Sequence, residues 1–344
     1  MLRQILLSTV LLFTLFTANA QQQEGSLVKW MKLQDALNAS KTQQKPILLD
    51  FYTDWCGWCK RMMATTYSDP GLANYINQYY YPVKFNAEGH DTIVYEGRTY
   101  INSDSTPRST HPLAKELLQG KLMYPTTLFM NAYDPKKDAF QIKMLAPGYL
   151  EKKQIEPILV FTLENVYRNS NLDDFSKAFE TAFYDSTLTK KLENIKWMKP
   201  EVVFDGNFNN GKKTIVFLHT DWCNSCKVME RAVFSDTSIS KLFTDKFNLV
   251  DFNPESDKPL FWNNKVFQKT PGASFPFHPL SLEFTRNNFI LPTTAVLDEK
   301  GQVLDAIPFF LTATVLADIL AFYGEDIYKS KSWADYQKGK SSNK

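Results

Sequence analysis

The hydrophobic pattern alternates between two kinds of segment. Short apolar runs without proline, Ile47-Leu48-Leu49-Asp50-Phe51-Tyr52 and Thr214-Ile215-Val216-Phe217-Leu218-His219, have the length and the β-branched or aromatic content of buried strands. Stretches with helical spacing lie between them. One surrounds Trp30 (and Trp197), one starts at Cys56 and carries Met62, Met63 and Tyr67 inward, and one covers 113–118. Further strands are expected at 81–86, 127–131 and 249–253, and a last strand and helix close each half. Segments 87–110 and 254–277 are rich in Gly, Ser and Asn and show no clear periodicity. Strands alternating with helices predict a layered α/β fold.

The pattern occurs twice. Lys29-Trp30-Met31-Lys32 returns as Lys196-Trp197-Met198-Lys199, and Thr53-Asp54-Trp55-Cys56 as Thr220-Asp221-Trp222-Cys223. His111-Pro112-Leu113 and Pro125-Thr126-Thr127 return as His278-Pro279-Leu280 and Pro292-Thr293-Thr294, all at one offset of 167. After that the offset is 161, as in Val166-Tyr167-Arg168 against Ile327-Tyr328-Lys329. The six extra residues of the first copy belong between 127 and 147, with the turn-rich 134–138 as a hairpin tip. A period this long means two whole domains. They are expected at 25–175 and 195–340, joined by a polar helical connection at 176–194.

Residues 1–20 read as a cleavable signal peptide: Arg3, an apolar run over 5–16, and Ala18-Asn19-Ala20 before Gln21. An uncleaved N-terminal anchor is the other reading. The first predicts a periplasmic or secreted chain. Later apolar runs are too short to span a bilayer. Of 344 residues, 44% are hydrophobic and 22% charged, as in ordinary globular domains. A net charge of +2 gives no general attraction for nucleic acid.

All four cysteines lie in two Cys-x-x-Cys motifs, Cys56-Gly57-Trp58-Cys59 and Cys223-Asn224-Ser225-Cys226. Each follows a predicted strand and opens a helix. The free N–H groups and dipole of a helix N-terminus favour an anion, so the first cysteine of each pair is expected to carry a stabilised thiolate. The second can attack a mixed disulfide formed by the first. Two other readings remain open. Zinc ribbons bring two such pairs together, although usually from about 15–20 residues apart. Inert structural bridges are also open, although so short a loop constrains little chain entropy.

The run 49–60 resembles the active-site segment of the thioredoxin superfamily, and Tyr124-Pro125-Thr126 resembles its cis-proline segment. Tyr67-Ser68-Asp69-Pro70 is further similar to exported thioredoxin-like reductases. The resemblance covers both copies and implies two tandem thioredoxin-like domains, each a mixed central sheet flanked by helices. It implies Cys56 and Cys223 as attacking cysteines and Cys59 and Cys226 as resolving ones. Asp50 matches the buried carboxylate that shuttles the resolving thiol's proton. Trp55 and Trp222 flank the two sites. Tyr124 with Pro125, and Leu291 with Pro292, would bind an extended substrate segment by strand addition. No cofactor or metal is expected beyond the cysteine pairs.

Three departures stand out. Trp58 replaces the family's common proline. Phe217 stands where Asp50 stands in the first copy, and His219 is either a substitute proton acceptor or a packing residue. Long segments precede each cis-proline, and their aromatics, among them Tyr95, Tyr100, Phe261, Trp262, Phe275 and Phe277, either form a substrate lip or pack on themselves. His111 and His278 are expected to cap or pack, and Asp54 and Asp221 to sit in turns or to tune the thiolates. Two functions follow. One is an exported oxidoreductase that reduces or isomerises disulfides of extracytoplasmic proteins, with a membrane thiol reductase as electron donor. The other is a protein-binding or chaperone module whose second domain is not catalytic.

Overall fold

The computed structural model describes residues 25–188, 192–193 and 195–341. The expected signal segment lies outside them. The chain divides into two compact units, Met1–Tyr149 and Leu150–Lys344.

In the first unit, α1 (Leu33–Thr42) leads into β1 (Ile47–Tyr52), then α2 (Gly57–Thr65) and α3 (Pro70–Tyr79). There follow β2 (Tyr81–Asn86), the hairpin β3 (Ile93–Tyr95) and β4 (Arg98–Tyr100), α4 (Pro112–Leu117), β5 (Thr126–Met130) and β6 (Ile142–Pro147). The sheet order is β2-β1-β5-β6. β1 is parallel to β2 and antiparallel to β5, which is antiparallel to β6. β1 is central and buried on both faces, which explains its nearly unbroken apolar run. Leu49, Phe51, Val83, Phe85, Leu113 and Leu128 form its core.

The second unit contains α5 (Lys152–Leu163), α6 (Leu172–Tyr184) and the single turn α7 (Pro200–Val203). Then come β7 (Lys213–Leu218) and α8 (Asn224–Val228), which runs into a π-helical turn over Met229–Phe234. After these lie α9 (Thr237–Lys246), β8 (Phe247–Phe252), β9 (Leu260–Trp262), β10 (Lys265–Phe267) and α10 (Leu280–Phe284). β11 (Thr293–Leu297), β12 (Val303–Pro308), α11 (Ala313–Gly324) and α12 (Trp333–Ser341) end it. The sheet order is β12-β11-β7-β8, with the same parallel and antiparallel pairings. The duplication seen in the sequence is therefore a duplication of topology. Residues 134–139 form the tip of the β5–β6 hairpin, where the repeat requires its extra residues.

Three features differ from the sequence expectations. Trp30 and Trp197 are not helical: Met31 and Met198 bridge in parallel to Val83 and Val250, and the first helix begins only at Leu33. In the second unit the Asn- and Gly-rich stretch 205–211 leaves a single helical turn. The segments before each cis-proline contain β-hairpins. Their two-residue turns, Glu96-Gly97 and Asn263-Asn264, have positive φ at both positions, the geometry that matches strand twist. Finally, α5 and α6 pack with the second unit. Phe175 of α6 lies 6.0 Å from Phe161 and 5.1 Å from Phe310, ring to ring, and α6 also contacts α8 and the π-turn.

Gly206 shows how closely the chain approaches the second hairpin. Its φ is +88°, and a Cβ there would meet the Phe261 ring at 2.5 Å. Gly97 has φ +75° but open space around it. Gly97→Ala is expected to cost about 1 kcal/mol from backbone strain alone. Gly206→Ala must also displace Phe261 and is expected to cost about 2–4 kcal/mol. Urea denaturation of the two variants checks this; equal losses would contradict it.

Candidate active sites

Both cysteine pairs sit at the same junction, between a buried strand and a helix. Cys56 is the N-cap of α2: its backbone is extended, and its Sγ accepts the Cys59 N–H at 3.1 Å. Cys223 caps α8 in the same way, at 3.2 Å from the Cys226 nitrogen. Each pair is closed as a disulfide, with Cα atoms 5.3 Å apart in the first and 5.2 Å in the second. Among the described residues, no group of three or more His, Cys, Asp or Glu could hold a metal. Tyr124–Pro125 and Leu291–Pro292 are cis peptide bonds. Pro125 and Pro292 are buried, and each opens the strand paired with the central one.

The first site has an aromatic rim. Trp55 and Trp58 are each more than half exposed, at 53% and 57%. The Trp55 ring meets Tyr124 edge-on at 6.4 Å, and its Nε1 donates to the Glu88 carboxylate at 3.0 Å. The Arg108 guanidinium lies over that ring. Trp58 packs against Tyr149 at 5.5 Å, with the Arg61 guanidinium against both. A bulky residue in the proline's place is thus held by a cation–π contact rather than left loose.

Asp50 is fully buried on β1, in register with Lys84 on β2 and Thr127 on β5. The Tyr67 hydroxyl donates to its Oδ1 at 3.4 Å, and Oδ2 has no hydrogen-bond partner. Burial pushes its pKa up to about 7, an effect the Lys84 charge and the Tyr67 hydroxyl only partly oppose. Such a group changes protonation near neutral pH.

The second site is built differently. Phe217 packs among Trp197, Phe234 and His219. The cross-strand position is also changed: Asp251 replaces Lys84 and hydrogen-bonds His219. Burial alone would lower the His219 pKa, but the hydrogen bond and charge of Asp251 hold it above the ordinary value. Glu230 in the π-turn is raised by burial. Trp222 keeps its place and donates to Glu255 at 3.1 Å, the counterpart of Glu88. An element without counterpart in the first site is Glu164, just after α5. Its carboxylate accepts the Asn224 N–H at 3.0 Å and the Ser225 N–H at 2.7 Å.

The remaining candidates fall into structural roles. His111 and His278 accept the N–H two residues on and contact backbone carbonyls through Nε2. Asp54 accepts from the Asn86 side chain. Tyr95 is core, and Phe275 and Phe277 cluster with Phe289. Glu88 and Glu255 were legible in the repeat, since both keep the offset of 167. Glu164 carried no signal: its counterpart at offset 161, Glu325, is exposed and pairs with Lys246.

The position of Asp251 yields a test. Phe217→Asp would bury a carboxylate beside Asp251 rather than beside a lysine. It is expected to destabilise the second unit by more than about 3 kcal/mol, without creating a working counterpart of Asp50. Urea denaturation checks this; unchanged stability would contradict the packing described.

Residues 16–151 match a family described as Thioredox_DsbH, a protein of unknown function, DUF255. Residues 208–324 match the thioredoxin-like domain family. A 70-residue segment is 39% identical to the thiol:disulfide interchange protein DsbD of Vibrio vulnificus, covering 19% of this chain and only 12% of that protein. Similar solved structures include a thioredoxin-fold protein from Helicobacter pylori, at 16% identity and TM-score 0.34, over 45% of this chain and 92% of that one. The oxidised C-terminal domain of Neisseria meningitidis DsbD is 18% identical with TM-score 0.23, over 35% and 84%. Each half of the chain thus has a thioredoxin-like sheet order, a match to a thioredoxin-related family model and one Cys-x-x-Cys pair closed as a disulfide.

Proposed function

We propose that the chain reduces or isomerises disulfides of extracytoplasmic proteins, chiefly through its first site. The observation that carries this reading is the Cys56–Cys59 pair at a helix N-terminus, rimmed by exposed Trp55 and Trp58. In the reduced state the Cys56 thiolate attacks a substrate disulfide. One substrate sulfur leaves as a thiol, and a mixed disulfide remains. Cys59 gives up its proton, with Asp50 as acceptor, and attacks the Cys56 sulfur. The second substrate thiol leaves and the Cys56–Cys59 disulfide forms. Two electrons have passed to the substrate. Trp55, Tyr124 and Pro125 would hold an extended segment by strand addition, and Trp222, Leu291 and Pro292 are the matching set. No cofactor is required. A membrane thiol reductase would re-reduce the pair.

Export would follow from the signal-like segment 1–20, cleaved after Ala20. The copies are taken at 25–175 and 195–340, with 176–194 between them. A second reading, a binding or chaperone module with a non-catalytic second domain, is favoured by Phe217 and by the Glu164 carboxylate at α8.

Insulin reduction with dithiothreitol separates these readings. Cys56→Ser is expected to lose at least about 100-fold, and Cys223→Ser to keep most of the activity. A wild-type chain inactive with every reductant would contradict the enzyme reading.

Asp50 supplies a pH test. Its ordinary value is 3.8 and its folded value about 7. Between these the folded chain holds a proton on Asp50 that the unfolded chain releases, so the contribution of Asp50 to stability falls as pH rises from about 4 to about 7 and is constant above. Asp50→Asn is expected to remove that slope and to slow the first site about 100-fold. Urea midpoints at several pH values and the insulin assay measure both effects; an unchanged slope would contradict the buried-acid assignment.

A further inference from the structure

We propose that Glu164 is a positioning residue that silences the second pair in its reduced state: its carboxylate occupies the helix N–H groups that would otherwise stabilise the Cys223 thiolate. The proposal rests on reading Cys223 and Cys226 as an exchange pair.

The geometry is specific. The Asn224 and Ser225 N–H groups point at the Glu164 carboxylate at 3.0 and 2.7 Å, and the Cys223 sulfur is 3.7 Å from its Oε2. These are the donors that an N-terminal thiolate normally uses. Glu164 follows the last residue of α5, at the end of that helix where a negative charge is disfavoured. Its location is therefore explained by α8 and not by α5. Burial raises its pKa above the ordinary value, an effect that the Ser225 and Asn224 contacts and the Lys227 charge only partly oppose. The first site lacks this arrangement: among the described residues no carboxylate takes the Gly57 or Trp58 N–H.

The consequence appears on reduction. A dithiol donor gives two electrons and two protons, the Cys223–Cys226 bond breaks, and the donor leaves as a disulfide. Both cysteines end as thiols. Ionisation of Cys223 would then place a second negative charge next to Glu164, with the Asn224 and Ser225 N–H groups already taken and only the Cys226 N–H left on the sulfur. Cys223 stays a thiol and attacks slowly. Displacement of Glu164 would release it.

The test is alkylation of the reduced full-length protein by iodoacetamide at pH 7, with each cysteine followed by mass spectrometry. Glu164→Ala and Glu164→Gln are expected to raise the Cys223 rate at least about threefold. A tenfold gain in thiolate is partly offset by weaker intrinsic nucleophilicity. The Cys56 rate should not change. Glu164→Gln keeps the shape and removes the charge, so it decides the matter if Glu164→Ala fails to fold. An unchanged Cys223 rate in the folded variant, or an equal rise at Cys56, would overturn the proposal. No protein substrate is involved, so this result is independent of the insulin assay.

Discussion

A cysteine at the N-cap of a helix that leaves a fully buried central strand is the constraint on which both sites depend. The strand must be apolar and central, so that the junction emerges at a fixed place. The helix must start at once, so that its unpaired N–H groups face the sulfur. β1 with α2 and β7 with α8 meet both demands, and the three-residue spacing closes each pair. The cis-prolines, each opening the strand that pairs with the central one, complete the same frame.

Given one frame, the two copies differ mainly in where charge is buried. In the first, Asp50 lies beside Lys84, with the Tyr67 hydroxyl on it. In the second, the acid has moved across to β8: Phe217 fills the old position and Asp251 pairs with His219. Neither arrangement converts into the other by one substitution, since each carboxylate needs its own partner. The helix start differs in the same spirit. Among the described residues no carboxylate takes the Gly57 or Trp58 N–H, whereas the Asn224 and Ser225 N–H groups are taken by Glu164. The copies thus have one fold and two electrostatic environments.

Much of this was legible in the sequence because it rests on local pattern. The repeat, the central strands, the cysteine pairs and the capping histidines were readable from residue type and spacing, and the cis-prolines from the resemblance to the thioredoxin superfamily. What escaped did so for physical reasons. Trp30 and Trp197 have helical surroundings, but a bridge to a distant strand holds them extended. The hairpins at 93–100 and 260–267 have strands of three residues, too short for periodicity, although their Glu-Gly and Asn-Asn turns could have flagged them. Glu164 is invisible locally because its partner lies 60 positions on, and the repeat sends its counterpart to the surface.

The central claim is that both pairs exchange electrons and do so unequally. The most direct measurement is the reduction potential of each pair, by thiol trapping in glutathione buffers with the two motifs resolved by mass spectrometry. The account predicts two separate values, at least the first above about −300 mV, with the second pair the more negative because its thiolate is poorly stabilised. Coincident values, or both below about −300 mV as in inert structural bridges, would contradict it.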